Sequence, residues 1–171
     1  MPNQTLRALC DAAASNAGVD ALREAGHEGG ATMYRNFNDW LRDAGHTDAN
    51  DLSLEDFSSH ASEFFEKAGW GAVSLRSAND AFAVIEIRDC WEEGANQGRP
   101  GCHVTTGALA GFLSPLADYP MAVMEVQCGR SAQDGGGACR FLAGNEQMLD
   151  EAYQRLLGGE SWESIGAERA E

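Results

Sequence analysis

Apolar residues recur at helical spacing in the N-terminal part of the chain. A first helix is predicted from Asn3 to about Ala14. A second is predicted between about Gly29 and Ala44, because its apolar residues fall at i, i+4, i+7 and i+8, namely Met33, Phe37, Trp40 and Leu41. A third helix, with Ser53 as its N-cap, ends near Ala68 and carries an apolar stripe at Leu54, Phe57, Ala61, Phe64 and Phe65. Both stripes predict a buried core, and their side chains could also line a cavity.

The pattern changes after Gly69 to the alternation of apolar and polar residues that is typical of strands. Strands are predicted at 70–77, 81–90, 121–128 and 138–143, and helices at 102–117 and 145–157. The helix at 102–117 is rich in glycine and alanine, which indicates close packing against a neighbouring element. This order of elements predicts an α+β fold with a mainly antiparallel sheet.

With 171 residues the chain is long enough for one domain with a substantial core. We expect a single domain over 1–171: a mainly helical part at 1–69, the sheet with a closing helix at 70–158, and an acidic tail at 159–171. No segment has the length and apolarity of a membrane span, and the N-terminus lacks the features of a signal peptide. The resulting expectation is a cytoplasmic protein whose cysteines are reduced.

The net charge argues against partners that are themselves anionic. The chain has 12 basic and 27 acidic residues, which gives a formal charge of −15 at pH 7. Such a surface repels the phosphate backbone of nucleic acids and anionic lipid headgroups. We therefore expect neither direct nucleic-acid binding nor membrane association.

Three cysteines and one glutamate in the second half of the chain have the composition of a zinc site. Cys102 opens a predicted helix, Glu125 and Cys128 end a strand, and Cys139 begins the next strand after a glycine-rich turn at 135–137. Three thiolates and a carboxylate supply four tetrahedral ligands and leave no position for water, so the site would be structural. Because no CxxC pair is present, the spacing alone supports a metal site and three unliganded cysteines equally.

His103 is a competing fourth ligand, but it adjoins Cys102, and neighbouring residues on a helix point about 100° apart. Glu125 is therefore the preferred ligand, and His103 is kept as a possible pocket residue. Cys10 and Cys90 have no evident partner and are expected to be inert thiols. Glu92 is expected to be solvated, and no catalytic residue can be assigned.

The segment 89–141 resembles the core of the 4-vinyl reductase domain family. The shared features are a cysteine before a helix of the form T-x-G-x-x-A-G-F, which begins here at Thr105, a strand leading to E-x-x-C at Glu125 and Cys128, and a C-R-F motif at Cys139. The early segment EAGHEGGATMYRNF also resembles the family, so the likeness covers roughly 20–143. It implies an α+β domain that tends to dimerise and is similar in fold to a subunit of the Golgi vesicle-tethering complex.

The resemblance also implies a metal and a ligand. Phenol-sensing activators of this family bind a small aromatic effector in an enclosed pocket beside a zinc that is held by three cysteines and a glutamate. Carried over by motif, one structural zinc per chain would be held by Cys102, Glu125, Cys128 and Cys139. The loop before Cys139 is a few residues longer here than is usual in the family.

The favoured function is that of a small-molecule sensor or carrier with an enclosed apolar pocket. The candidate lining residues are Phe37, Trp40, Phe64, Phe82, Trp91 and Phe112, with His103 as a polar anchor. A first alternative is an enzyme or enzyme accessory that acts on a tetrapyrrole or another conjugated substrate, although the chain has no nucleotide-binding fingerprint. A second alternative is a dimeric interaction protein, by analogy with the tethering subunit.

Overall fold

The structure is a computed structural model that describes residues 3–79, 81–93, 101–117, 119–129 and 137–167. Its helices are α1 (Asn3–Ala17), α2 (Val19–Asp43), α3 (Leu54–Lys67), α4 (His103–Leu113), α5 (Glu146–Leu157) and α6 (Trp162–Ala167). Its strands are β1 (Ala72–Ser77), β2 (Phe82–Arg88), β3 (Met121–Gln127) and β4 (Cys139–Asn145). Two short 3-10 helices lie at Ala49–Asp51 and Ser114–Leu116.

The four strands form one antiparallel sheet in the order β1-β2-β4-β3. β2 and β4 are central, with Ile85 opposite Phe141 and Ile87 opposite Cys139. The predicted α+β class with a mainly antiparallel sheet is therefore confirmed. The register of β3 against β4 shifts between Glu125 and Gln127, so a bulge interrupts the strand where Glu125 lies.

Each face of the sheet covers its own apolar cluster, because successive side chains of a strand point to opposite faces. The larger cluster packs α2, α3 and α4 against strand residues such as Ile85, Ile87 and Phe141. The smaller cluster packs α5 and α6 against Val84 and Leu142 on the other face. The helix α6 lies within the segment that the sequence assigned to an acidic tail.

α2 and α4 pack closely through four glycines that face each other across the helix pair. A Cβ added to Gly26 or Gly30 would approach a backbone carbonyl of α4 to well under 3.0 Å. A Cβ added to Gly107 or Gly111 would meet a backbone carbonyl of α2 in the same way. Backbones can approach this closely only where side chains are absent, so the four glycines fix the position of α4.

The start of α2 was predicted wrongly. The sequence placed it near Gly29, whereas the helix begins at Val19, directly after Gly18 with its positive φ of 85°. Three glycines lower the helix propensity of this stretch, and contact with α4 compensates for that cost. The glycine turn predicted at 135–137 lies mostly outside the described residues, as do residues 94–100 between the second predicted strand and the helix at 102–117.

Candidate metal centre and neighbouring cavities

Four donor groups converge where α4, β3 and β4 meet. Cys102 is the N-cap residue of α4, Glu125 lies in β3, Cys128 follows β3, and Cys139 begins β4. One ligand atom from each of these residues lies within 4.8 Å of the other three. The three cysteines are almost fully buried. The four predicted ligands, which span 37 positions from Cys102 to Cys139, therefore lie close together. The long loop between Cys128 and Cys139 does not prevent Cys139 from reaching the other three.

The spacing of the sulfur atoms matches a tetrahedral zinc ion. The Sγ atoms of Cys102 and Cys139 are 3.8 Å apart. Two sulfurs bound at about 2.3 Å to a tetrahedral ion lie about 3.8 Å apart, whereas a disulfide would bring them to about 2.05 Å. The backbone N–H of Gly129 also donates a hydrogen bond to the Cys139 sulfur at 3.4 Å. Such a donor would stabilise a thiolate.

The carboxylate of Glu125 is held by backbone and retains a free oxygen. Its Oε2 atom accepts hydrogen bonds from the N–H groups of Gly101 at 2.5 Å and Cys102 at 2.8 Å. Its Oε1 atom is buried and has no hydrogen-bond partner among the described residues. Burial raises the pKa of Glu125 to about 7. A buried acceptor without a partner is costly, and a cation bound at Oε1 would remove that cost.

A second buried carboxylate holds the start of α4 from another direction. Glu92 is 2% exposed, and its two oxygens accept hydrogen bonds from the N–H groups of Val104 at 3.1 Å and Thr105 at 2.8 Å. Burial raises the pKa of Glu92. The expectation that Glu92 is solvated was wrong, because the first N–H groups of a helix lack intrahelical partners and attract a carboxylate. No local sequence signal links Glu92 to a helix that starts eleven residues later.

Cys90 is a further thiol at this centre. It is buried, it interacts with the thiols of Cys102 and Cys139, and its Sγ atom lies 3.8 Å from Thr105 Oγ1. Hydrogen bonds from Cys102 and Cys139 lower the pKa of Cys90. The expectation that Cys90 lacks a partner was therefore wrong, since the pairing of β2 with β4 brings it to the cluster.

An aromatic cluster fills the space between α2, α3 and α4. Phe37 is at its centre, with ring centroids 5.3 Å from Phe64, 5.5 Å from Phe112 and 6.0 Å from Trp40. Phe57 and Phe65 also contact Phe112. The enclosed cavity beside these rings measures only about 10 Å³, which is about the space of one water molecule. Among the described residues, the rings of this cluster therefore pack against one another and leave little space beside them.

An open apolar groove of about 340 Å³ lies next to this cavity. Phe57, Leu75 and Leu113 line both the groove and the small cavity, so these three side chains separate the two spaces. Leu54 and Tyr119 lie at the groove and are well exposed.

A larger groove of about 790 Å³ lies beside the edge strand β3. His103 and Arg23 line one part of it, and Glu125 also reaches it. Burial and the charge of Arg23 lower the pKa of His103. His103 is thus a groove residue and is not one of the four converging donors.

The residues predicted to line one ligand pocket are distributed over several places. Phe37, Trp40, Phe64 and Phe112 share the aromatic cluster. Trp91 contacts Trp70, with ring centroids 5.7 Å apart, and its buried indole N–H has no hydrogen-bond partner in the described part of the chain. Phe82 lies in the other apolar cluster, across the sheet. Alternation along β2 places Phe82 and Ile85 on opposite faces, which the predicted pocket did not take into account.

Comparison with known proteins supports the fold. No family model matches the chain, and no curated protein matches it. The phenol-responsive sensory domain of the transcription activator PoxR, solved with phenol, matches with a TM-score of 0.65 and 15% identity over 92% of this chain and 81% of that one. Subunit 3 of a trafficking protein particle complex from Naegleria fowleri, covalently bound to palmitic acid, matches with a TM-score of 0.56 and 11% identity over 83% of this chain and 93% of that one.

These likenesses establish the fold of the domain and nothing more. A sensory domain and a subunit of a trafficking complex share this fold. Membership of the 4-vinyl reductase family stays a prediction. Among the described helices, none combines the length and the apolarity that are needed to cross a bilayer.

Proposed function

We propose that this chain is a zinc-stabilised domain that binds a small apolar or aromatic molecule. The observation that carries the proposal is the convergence of Cys102, Glu125, Cys128 and Cys139 within 4.8 Å. Zinc is the first-row cation that best fits three thiolates and a carboxylate in a tetrahedral arrangement. With all four positions taken by protein, the ion would hold α4, β3 and β4 together without taking part in catalysis.

The ligand part of the proposal is supported by the groove and the aromatic cluster. The groove is lined mainly by apolar side chains and is next to the aromatic cluster around Phe37. The cavity beside the rings is small, so a ligand would occupy the groove. It would reach the aromatic cluster only if the Phe57 side chain moved aside.

The solved relatives support the same kind of ligand. One binds phenol and the other carries palmitic acid, so this fold accommodates apolar molecules of different shapes. The apolar groove of this chain, with Leu54, Leu75 and Leu113 among its lining residues, fits a ligand of that class. Dimer formation, which the family resemblance implies, remains a further proposal.

Native mass spectrometry of protein purified without added metal tests the proposal. We expect one zinc per chain and, in the same spectrum, an added small-molecule mass or a mass shift after titration with phenol or palmitic acid. A spectrum without zinc would contradict the metal site. Retained zinc with no binding of either probe would contradict the ligand site alone.

A further inference from the structure

Cys90 reaches the metal centre through an unusual backbone conformation. β2 ends at Arg88, and the next residue, Asp89, has a φ of 55°, in the left-handed region that residues other than glycine rarely adopt. Such a conformation is unfavourable for a residue with a side chain, and it persists where the surrounding structure requires it. Cys90 follows directly and is 4% exposed. The turn at Asp89 therefore ends the strand and leaves the thiol in the core.

The position of Cys90 relative to the four donors is specific. Ile87 is opposite Cys139 in the sheet, so the chain passes the centre as β2 ends. Cys90 lies in the same buried cluster as Cys102 and Cys139, whose sulfurs are 3.8 Å apart, and its own Sγ atom is 3.8 Å from Oγ1 of Thr105 in α4. It does not belong to the set of four atoms that lie within 4.8 Å of one another. Cys90 is thus adjacent to one edge of the proposed tetrahedron, just outside it.

We propose that Cys90 is a reserve ligand that replaces Glu125 on the zinc ion when the carboxylate leaves. This inference rests on the zinc site proposed above. In the exchange a zinc–oxygen bond breaks, a zinc–sulfur bond forms, and the Cys90 proton goes to the released carboxylate or to water. Four-thiolate sites are an established kind of structural zinc site, and the charge of the ligand set is unchanged because a thiolate replaces a carboxylate.

Glu125 is the proposed ligand that a molecule bound in the groove beside β3 could contact. Glu125 lines the large groove beside β3, whereas the three cysteines do not. Its Oε2 atom is held by the N–H groups of Gly101 and Cys102, and these contacts persist after Oε1 leaves the ion. A molecule in the groove can therefore contact the one exchangeable ligand, while Cys90 keeps the ion bound.

X-ray absorption at the zinc edge tests the proposal, because it distinguishes sulfur from oxygen ligands. The whole chain of 171 residues is loaded with zinc as wild type, as Glu125→Gln, as Cys90→Ala and as the double variant that combines both changes. Cys90→Ser serves as a second substitution at Cys90. We expect three sulfurs and one oxygen in the wild type and in Cys90→Ala. Glu125→Gln should keep one zinc per chain and gain a fourth sulfur.

The double variant is expected to lose the fourth sulfur and to bind zinc more weakly than Glu125→Gln. Since loss of even an outer partner of a metal ligand weakens binding about tenfold or more, loss of a ligand should do at least as much. Circular dichroism confirms that each variant is folded before the comparison is made.

Two results would overturn the reserve role while leaving the zinc site intact. One is a Glu125→Gln spectrum in which zinc has three sulfur ligands and one oxygen or nitrogen ligand. The other is equal zinc affinity of the double variant and Glu125→Gln. A wild-type chain without zinc would instead overturn the zinc site, and the reserve ligand with it.

Discussion

The carboxylate of Glu125 accepts a hydrogen bond of 2.8 Å from the backbone N–H of Cys102. Two of the four proposed zinc ligands therefore position each other, and β3 is joined to the start of α4 even without an ion. The same start is joined to Glu92 through Val104 and Thr105. Two buried carboxylates thus take the N–H groups that a helix start leaves unpaired. These hydrogen bonds position Glu125 and Cys102 without a metal ion, so a zinc ion would bind to ligands that are already close together.

Replacing Cys128 with alanine should abolish zinc retention, because it removes one of three thiolates. A structural zinc contributes directly to folding free energy. We expect the thermal midpoint to fall by about 10 °C, which corresponds to about 4 kcal/mol. Metal analysis and calorimetry measure the two effects. Cys10→Ala is the matched control, because Cys10 lies on α1 and is not one of the four converging donors. Unchanged zinc content in the Cys128 variant would refute the ligand assignment.

The stability of the metal-free protein should decrease as pH rises from about 4.5 to about 7. Burial raises the pKa of Glu125 from 4.5 to about 7, so the folded state holds this proton more tightly than the unfolded state does. The stabilising effect is complete below 4.5 and is lost as the carboxyl ionises near 7, a difference of up to about 3 kcal/mol.

Chemical denaturation of the metal-free chain at several pH values measures this slope, and Glu125→Gln is the control. The variant has no ionisable group at this position and should lack the Glu125 part of the slope. Identical slopes for the two proteins would show that the carboxyl is not buried as the structure places it. With zinc bound the slope should be smaller in the wild type, because the metal stabilises the ionised form.

Gly30→Ala should destabilise the chain by about 3 kcal/mol or more, because the added Cβ would collide with the backbone of Ala108 and push α2 and α4 apart. Gly29→Ala is a closely matched control, since its Cβ would meet nothing within 4 Å. In a helix interior that change should stabilise the protein by about 0.5–1 kcal/mol. Denaturant unfolding of both variants tests the prediction, and equal effects would contradict the close contact.

Leu54→Asp should weaken binding of phenol or palmitic acid without loss of fold. Leu54 lines the apolar groove and is 47% exposed, so a charge there makes the groove less favourable for an apolar ligand. Leu54 is also the first residue of α3, where an acidic side chain interacts well with the helix dipole. We expect about a tenfold increase in Kd, equal to about 1.4 kcal/mol.

Titration followed by tryptophan fluorescence measures this change. Leu9→Asp is the control, because Leu9 is 60% exposed on α1 and does not line the groove. Equal affinity of the Leu54 variant and the wild type would place the ligand elsewhere.

Local patterns in the sequence predicted much of the fold. The helical stripe at Phe37 and Leu41 and the alternation at Ile85 and Ile87 each arise from the burial of one face of an element. Ser53 caps α3 through its side chain, as predicted. Asn145, where the last predicted helix begins, caps α5 in the same way. The four converging donors were chosen on spacing and motif, and the structure brings them together. These features depend on residues that are near in sequence or that recur in a known motif.

What the sequence could not determine depends on contacts between distant segments. Glu92 and Cys90 are ordinary loop residues in the sequence, and they acquire partners only because β2 ends beside β4 and α4. The length of α2 was hidden, because the glycines that weaken an isolated helix are the ones that let it contact α4. Phe82 was assigned to the aromatic cluster, but it lies on the other face of the sheet. The helices that cover each face are known only once the pairing of β2 with β4 is known. The sequence by itself thus determined most of the helices and strands and the candidate ligands. The tertiary structure decided which side chains lie together, because burial and pairing across the sheet are properties of the folded chain as a whole.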